Sequence, residues 1–347
     1  MQRSQAWTCR SPEDQEALRD AFETLLGHEA RPERVRAVEP LGFDPALWKL
    51  LVGMDAVSMA VPAASGGGGL GLGDLGVLAE LLGRRLAPVP LLEAQVASRL
   101  LARAGAEDVL GRVVGGDQLV TLALRPGVEG TARLVPAGAV ADVVVALDGT
   151  ELVAVEARPE DSAHPLQSLG SAPLADRDLR SGTIRVLAEG TEAACLLAGA
   201  VAEWKVLTAA ALIGLGAEAL DFAVAYVRER RQFGVPIGSF QVIQHRLADL
   251  ASEIDGGRLL AQEAAWAADE HEHDAAALGA MAFAYAASTA QHAAAESLHF
   301  HGGYGFMLEY DIQLYFRRAK AWALVYDDPR REYQQVAELL WGPPEAP

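Results

Sequence analysis

The chain has 347 residues, 51% of them hydrophobic, and a formal net charge of -18, which is length enough for two or three small domains and a substantial core. That acidity excludes nucleic acid and anionic membrane surfaces as general partners, because both would be repelled over much of the surface. The apolar runs read as too short for the ~20 residues of a membrane helix, Met1 to Pro12 lack the apolar stretch of a signal peptide, so a cytoplasmic location is expected, and Cys9 and Cys195 are too few for a disulfide framework.

The first element is announced by Ser11-Pro12-Glu13-Asp14, an N-cap serine, a proline in the first turn and two acids, with helical pattern through Leu26. A second helix is predicted from Asp44 through Leu51, and a third from Asp74 to Leu86. Residues 1–113 therefore read as an N-terminal helical domain. Before the third helix, the run from Gly66 to Gly76 satisfies Gly-x-Gly-x-x-Gly twice. So many glycines meet the pattern by chance, and Glu93 follows Pro88 and Pro90 rather than ending a strand as a dinucleotide site requires. A flexible loop before a helix is the expectation.

From Gln118 the period changes to that of strands. Leu119 to Leu124, Ala141 to Leu147, Glu151 to Val155 and Thr183 to Leu187 are short apolar runs separated by Gly, Pro and Asp turns, giving a small β domain over residues 114–192. Residues 193–347 return to helix, and the Ala, Gly and Ser density of Ala198 to Ala219 and Ala275 to Ala295 suits closely packed helices. The segment Asp269 to Asp274 gathers histidines and carboxylates, but lacks the His-Glu-x-x-His spacing that puts two metal ligands on one helical face. It reads as a solvated loop, and no metal is expected.

The most informative stretch runs from Tyr226 to Asp249. Apolar and small residues from Leu196 to Tyr226 predict a long buried helix, Gly234, Pro236 and Gly238 break it at Phe233, and Phe240, Ile243, Leu247, Leu250 and Ile254 mark one face of the next helix. The turn presents Arg230, Gln232 and Phe233 at a helix end. There an arginine can grip a phosphate through a bidentate fork while the aromatic packs on a ring system. Arg228, Arg230 and Arg231 also suit a solvated helix terminus, where cations meet the carboxyl end of the dipole.

Arg230-Arg-Gln-Phe233-Gly234 with Phe240-Gln241, then His301-Gly-Gly-Tyr-Gly-Phe-Met-Leu-Glu-Tyr310 followed by Arg317-Arg-Ala-Lys320, resemble the acyl-CoA dehydrogenase family in order and spacing. Gly66 to Gly73 with Leu86 to Glu93 is a weaker match to its amino-terminal domain. The resemblance implies a mostly α fold with a small β domain: an N-terminal helical domain, a reduced middle β domain, and a C-terminal four-helix bundle that is the family's oligomer interface. It implies FAD as cofactor, an acyl-CoA thioester as substrate and an electron-transfer flavoprotein as acceptor. A carboxylate would remove the α-proton while the β-hydrogen leaves as hydride to the flavin, giving a 2-enoyl-CoA.

Carried over residue by residue, Arg230 matches the arginine that reaches the FAD pyrophosphate of a neighbouring subunit and Phe233 the aromatic beside it. Gln232 sits between them, Gln241 and Gln244 lie toward the adenosine end, Gly302 and Gly303 match the Gly-Gly that lets backbone approach the cofactor, and His299 replaces a family glutamine. The middle domain departs from the pattern. Leu124-Arg-Pro-Gly-Val-Glu-Gly130 keeps a proline and glycines, but not the hydroxyl and acid residues that hold the flavin of the same subunit.

Both of the family's positions for the base are also vacated. One falls on Tyr326, beside Asp327 and Asp328, and the other on Trp204, beside Glu203. A one-residue step on a helix turns a side chain by about 100°, so Asp328, Asp327 and Glu203 are candidates rather than inheritors, and Asp327-Asp328-Pro329 also reads as a helix-ending turn. The expectation is an acyl-CoA dehydrogenase subunit that shares its flavin site with an unlike chain, as in bacterial members acting on steroid side-chain thioesters. The alternatives are a homomeric enzyme with a displaced base, and a non-catalytic scaffold or ligand-binding member.

Overall fold

The computed structural model describes residues 11–342; Cys9 lies outside them. The amino-terminal domain is helical, with α1 (Pro12–Glu29), α2 (Pro32–Ala37), α3 (Pro45–Gly53), α4 (Leu72–Arg85), α5 (Leu91–Arg103) and α6 (Glu107–Val114). Ser11 Oγ accepts from the Asp14 N–H at 3.2 Å, and Asp44 Oδ1 accepts from the Ala46 and Leu47 N–H groups at 2.9 and 3.1 Å. Each side chain satisfies donors that a helix start leaves open. Leu18, Phe22 and Leu26, one stripe of α1, are fully buried.

The β domain holds β1 (Val120–Leu122), β2 (Thr131–Val135), β3 (Val143–Asp148), β4 (Glu151–Glu156), a short helix α7 (Pro159–Ser162), β5 (Ala163–Pro165), β6 (Ala175–Asp178) and β7 (Thr183–Glu189). One sheet has the order β1-β3-β4-β7, with β1 parallel to β3 and the other pairs antiparallel, and a three-stranded sheet has the order β2-β6-β5. Ala123, Ala132, Val135, Val144, Val153 and Leu179 form a core of their own between them. Buried Arg177 ties β6 to the surrounding loops, donating to the carbonyls of Gly138, Ala141 and Ala157 at 2.7–2.9 Å.

The chain then enters α8 (Gly190–Glu229), a hairpin of β8 (Arg231–Gln232) and β9 (Val235–Pro236), α9 (Gln241–Asp269), α10 (Ala275–His301), α11 (Ile312–Leu324) and α12 (Glu332–Trp341). The C-terminal bundle is built on α8, whose small residues admit its neighbours. A Cβ at Gly83 of α4 would stand 1.8 Å from the Ala211 carbonyl oxygen, and one at Gly214 would stand 2.0 Å from that of Glu80. By length and composition α8 could cross a membrane, which corrects the sequence reading; 72% of its apolar window is buried in the protein. The apolar surface is spent on α4, α9 and α10.

The glycine-rich run is packed rather than loose, a second correction. A Cβ at Gly67 would meet Val61 O at 2.2 Å, and one at Gly71 would meet Asp269 Oδ2 at 2.5 Å. The Asp269 carboxylate closes the start of α4, accepting from Leu72 N at 2.8 Å and Gly73 N at 3.0 Å. A helix N-terminus is an anion site, and here the chain supplies its own anion. The dinucleotide reading of these glycines therefore has no place for a pyrophosphate. Among the described residues no His, Cys, Asp or Glu group has the arrangement to hold a metal.

Candidate functional site

The residues singled out in the sequence fall in two regions, one on the outside of the bundle and one inside. On the outside, α8 ends at Glu229, and β8 and β9 pair through Arg231↔Pro236 and Gln232↔Val235. Phe233 and Gly234 make the turn, with φ of +53° and +82°. Two successive positive φ values define the tight hairpin turn that matches strand twist. Glycine accepts this freely; a bulky aromatic does so only under strain. The Phe233 ring is 92% exposed, with its edge contact on Phe240 at 6.2 Å.

Arg230 is exposed beside it, and among the described residues its guanidinium has no ion pair. Gln232 bonds to the Arg231 carbonyl at 2.8 Å, and Gln244, beyond exposed Gln241, to the Gly238 carbonyl at 3.0 Å. The second motif is brought alongside by Tyr226 of α8 stacking on His301 at the end of α10, 4.1 Å between rings. His301 Nδ1 lies 2.7 Å from the Ser297 carbonyl, and burial holds its pKa below the usual histidine value, so the neutral ring donates that bond. Gly302 and Gly303 follow, exposed, with no atom within 4 Å of an added Cβ, and His299 is exposed on the preceding turn. Arg230, Phe233, Gln241, Gln244, Gly302 and Gly303 are thus on offer to something outside the chain.

Inside, the two vacated base positions face each other. Trp204 and Tyr326 lie 6.3 Å apart, and Phe283 of α10 completes the cluster at 5.7 and 6.4 Å. Trp204 also borders a cavity of about 110 Å³ where α4, α5, α8 and α11 meet loops of the β domain, with Leu82, Pro88, Val89, Leu174 and Trp322 among its walls. Glu93 lines the same cavity and accepts from Trp204 Nε1 at 3.2 Å. Burial raises its pKa above the ordinary 4.5, against smaller lowering by its own backbone N–H and by Trp204.

The folded chain therefore binds the Glu93 proton more tightly than the unfolded chain, and stability falls as pH rises from 4.5 through the folded pKa. Glu93→Gln should remove that slope. Relative to the wild type it should be more stable at pH 8 than at pH 5, as read from denaturant midpoints at the two pH values. In sequence Glu93 was weighed only as the acid of a dinucleotide site and set aside; the apolar pocket that shifts its pKa is assembled by distant segments.

None of the three carboxylates singled out in sequence lines this cavity. Glu203 points elsewhere from α8, onto Arg99 Nε at 3.1 Å and onto Arg103. Asp327 accepts from the Asp328 N–H at 2.7 Å and pairs with Arg331, and these contacts hold its pKa low. Asp328 caps the turn Pro329–Arg331 and is gripped by Arg330, which draws its pKa down to about 2. Glu203 is thus committed to two arginines, and Asp327 and Asp328 are held as anions, the opposite of a carboxylate poised to take a proton near neutrality. The loop after β1 also differs from a flavin cradle, since Arg125 reaches across to donate to the Val325 carbonyl at 2.7 Å.

Sequence models of the acyl-CoA dehydrogenase N-terminal and C-terminal domains match residues 12–114 and 197–325, on either side of the β domain. The acyl-CoA dehydrogenase IpdE2 of Mycolicibacterium smegmatis is 32% identical over 330 residues, covering 93% of this chain and 98% of that protein. Among solved structures, the Tcur3481-Tcur3483 steroid ACAD variant is 29% identical, with TM-score 0.84 over 94% of this chain and 98% of that one. The ChsE4-ChsE5 complex from Mycobacterium tuberculosis is 27% identical, with TM-score 0.84 over 96% and 99%.

The chain belongs to the acyl-CoA dehydrogenase family, and the fold is that family's: helical domain, small β domain and C-terminal bundle. It is a family of FAD-dependent oxidoreductases, and FAD is the cofactor. The exposed side fits that group, with a free arginine for the pyrophosphate, an exposed aromatic and uncovered glycines for backbone approach.

Proposed function

We propose that this chain is one subunit of a heteromeric acyl-CoA dehydrogenase, lending Arg230, Phe233, Gln241, Gln244, Gly302 and Gly303 to the FAD of an unlike partner. One contrast carries the reading: the half-site that faces outward is open and unpaired, while the inner base positions hold Trp204 and Tyr326. The similarity to the ChsE4-ChsE5 complex and to a steroid ACAD supports a two-chain assembly and a bulky polycyclic thioester as substrate. When bound, FAD accepts the hydride that leaves the acyl β-carbon. The chain's own part is to hold the pyrophosphate at Arg230, pack Phe233 beside the cofactor and shield the site from water. The α-proton then goes to a carboxylate of the partner.

Exposed Phe233, Phe240, Val242, Phe306 and Leu308 around the half-site support a covered surface there. Purified alone, the chain should be colourless; co-expressed with its dehydrogenase partner, it should yield a yellow complex. Arg230→Ala should weaken flavin retention by that complex about tenfold or more, since a hydrogen bond to a charged group contributes ~1.5–3 kcal/mol. Stoichiometric flavin in a homodimer of the lone chain would overturn the proposal and favour the homomeric enzyme.

A further inference from the structure

The cavity beside Trp204 contains more polar capacity than the chain uses. Arg318, the second arginine of Arg317-Arg-Ala-Lys320, is 1% exposed and lines the cavity, yet neither Nη1 nor Nη2 makes a hydrogen bond. Its closest charge is Glu39, whose Oε1 is 3.2 Å from Nη1. That carboxylate is already taken by Arg317 Nη2 at 2.9 and 3.0 Å. Two guanidinium groups thus share one carboxylate at the cavity edge. Thr208 Oγ1, also buried and lining the cavity, has no partner either.

Buried donors without acceptors are rare, and leaving a charged one unmet is costly. Apart from Glu93 and Ser171, the remaining side chains of the walls are apolar. An apolar pocket with a few convergent polar groups is the usual form of a small-ligand site. Its volume, about 110 Å³, compares with the ~150 Å³ cavity known to take a benzene, so the occupant is compact.

We propose that this cavity binds a compact aliphatic carboxylate, its oxygens on the Arg318 guanidinium and Thr208 hydroxyl and its carbon body against Leu82, Val89, Leu174 and Trp322. A guanidinium fork matches a carboxylate in charge and geometry. Burial pushes the Glu93 carboxyl toward its protonated form, in which it offers an O–H donor to the same space. The carboxylate is either a free acid or the far end of an acyl chain whose thioester lies outside the cavity. The free-acid arm stands on this chain's interior alone, and the acyl-chain arm rests on the proposed acyl-CoA function.

Trp204 and Trp322 border the cavity and report on it. Tryptophan fluorescence of the full-length chain should be titrated with isobutyrate against uncharged isobutyramide, and with glutaryl-CoA against valeryl-CoA. Saturable binding of isobutyrate at least tenfold tighter than isobutyramide is expected, lost in Arg318→Met and weakened in Thr208→Val. A preference confined to glutaryl-CoA over valeryl-CoA, with the same dependence on those variants, would support the proposal and place the carboxylate on an acyl tail. Thr208→Val decides alone if Arg318→Met does not fold. No preference for the acid in either pair, or a preference untouched by the variants, would overturn it and leave a cavity that holds water.

Discussion

Gly83→Ala should destabilise the protein by about 3 kcal/mol or more, the upper end for overpacking a core, although it adds one methyl group and improves helix propensity. The methyl would stand 1.8 Å from the backbone oxygen of Ala211, and backbone cannot swing aside as a flexible side chain can. The clash is met only by moving α4 away from α8. Gly214 opposes it from the other helix, 2.0 Å from the Glu80 oxygen, so the two glycines form one crossing. Gly76→Ala in α4 is the control: nothing lies within 4 Å of its added Cβ, and it should gain roughly 0.5–1 kcal/mol from helix propensity. Chemical denaturation of both variants tests this; equal shifts would mean that the helices are not held in close contact. The crossing also has a functional side, since Gly83 and Ala211 border the cavity with Thr208, and Gly83→Ala should blunt any ligand response there.

The sequence was most legible where structure is local. Ser11 and Pro12 start α1 through bonds within one turn, the apolar runs behind β1, β3 and β4 are buried strands, and the run behind β7 is a strand whose Ile184 and Val186 stay exposed. β2, β5 and β6 went unread because they are short and partly polar. β6, Ala-Asp-Arg-Asp, carries no apolar pattern, yet its Arg177 is fully buried, its charge met by three carbonyls from other segments.

The outward turn was legible for the same reason as α1: Arg230 to Gly234 forms its hairpin from consecutive residues. Its pairing with Gly302 and Gly303 depends on Tyr226 meeting His301, a stack between residues far apart in the chain. The inner cavity was not legible. Glu93, Thr208 and Arg318 are brought together by three different helices, and no spacing in the sequence signals that a guanidinium and a hydroxyl will be left without acceptors.

Glu332→Ala should cost about 3–5 kcal/mol, because it strips the partner from a buried cation. Lys205 and Glu332 side chains are each 3% exposed, with Nζ 2.7 Å from Oε2. Gln335 Oε1 also accepts from Nζ at 2.8 Å, and the ammonium sits 4.4 Å from the centre of the Tyr326 ring. This contact fixes α12 on α8 and holds Tyr326 against Trp204, so its loss should loosen the cluster where the family keeps its base. Removing both charges, as Lys205→Met with Glu332→Leu, should be close to neutral, since what is costly is the unpaired ion rather than the missing pair.

The pH dependence separates that cause from simple loss of packing. Burial lowers the Lys205 pKa below its usual 10.5, partly offset by Glu332. Without Glu332 the folded pKa drops further, so over a wider range the unfolded chain binds the extra proton. Stability of Glu332→Ala should therefore rise with pH through the window below 10.5, as the folded lysine becomes neutral ahead of the unfolded one. Wild type should rise less. Thermal or urea unfolding at pH 7 and pH 10 would show the gap narrowing; a gap constant with pH would assign the loss to packing instead.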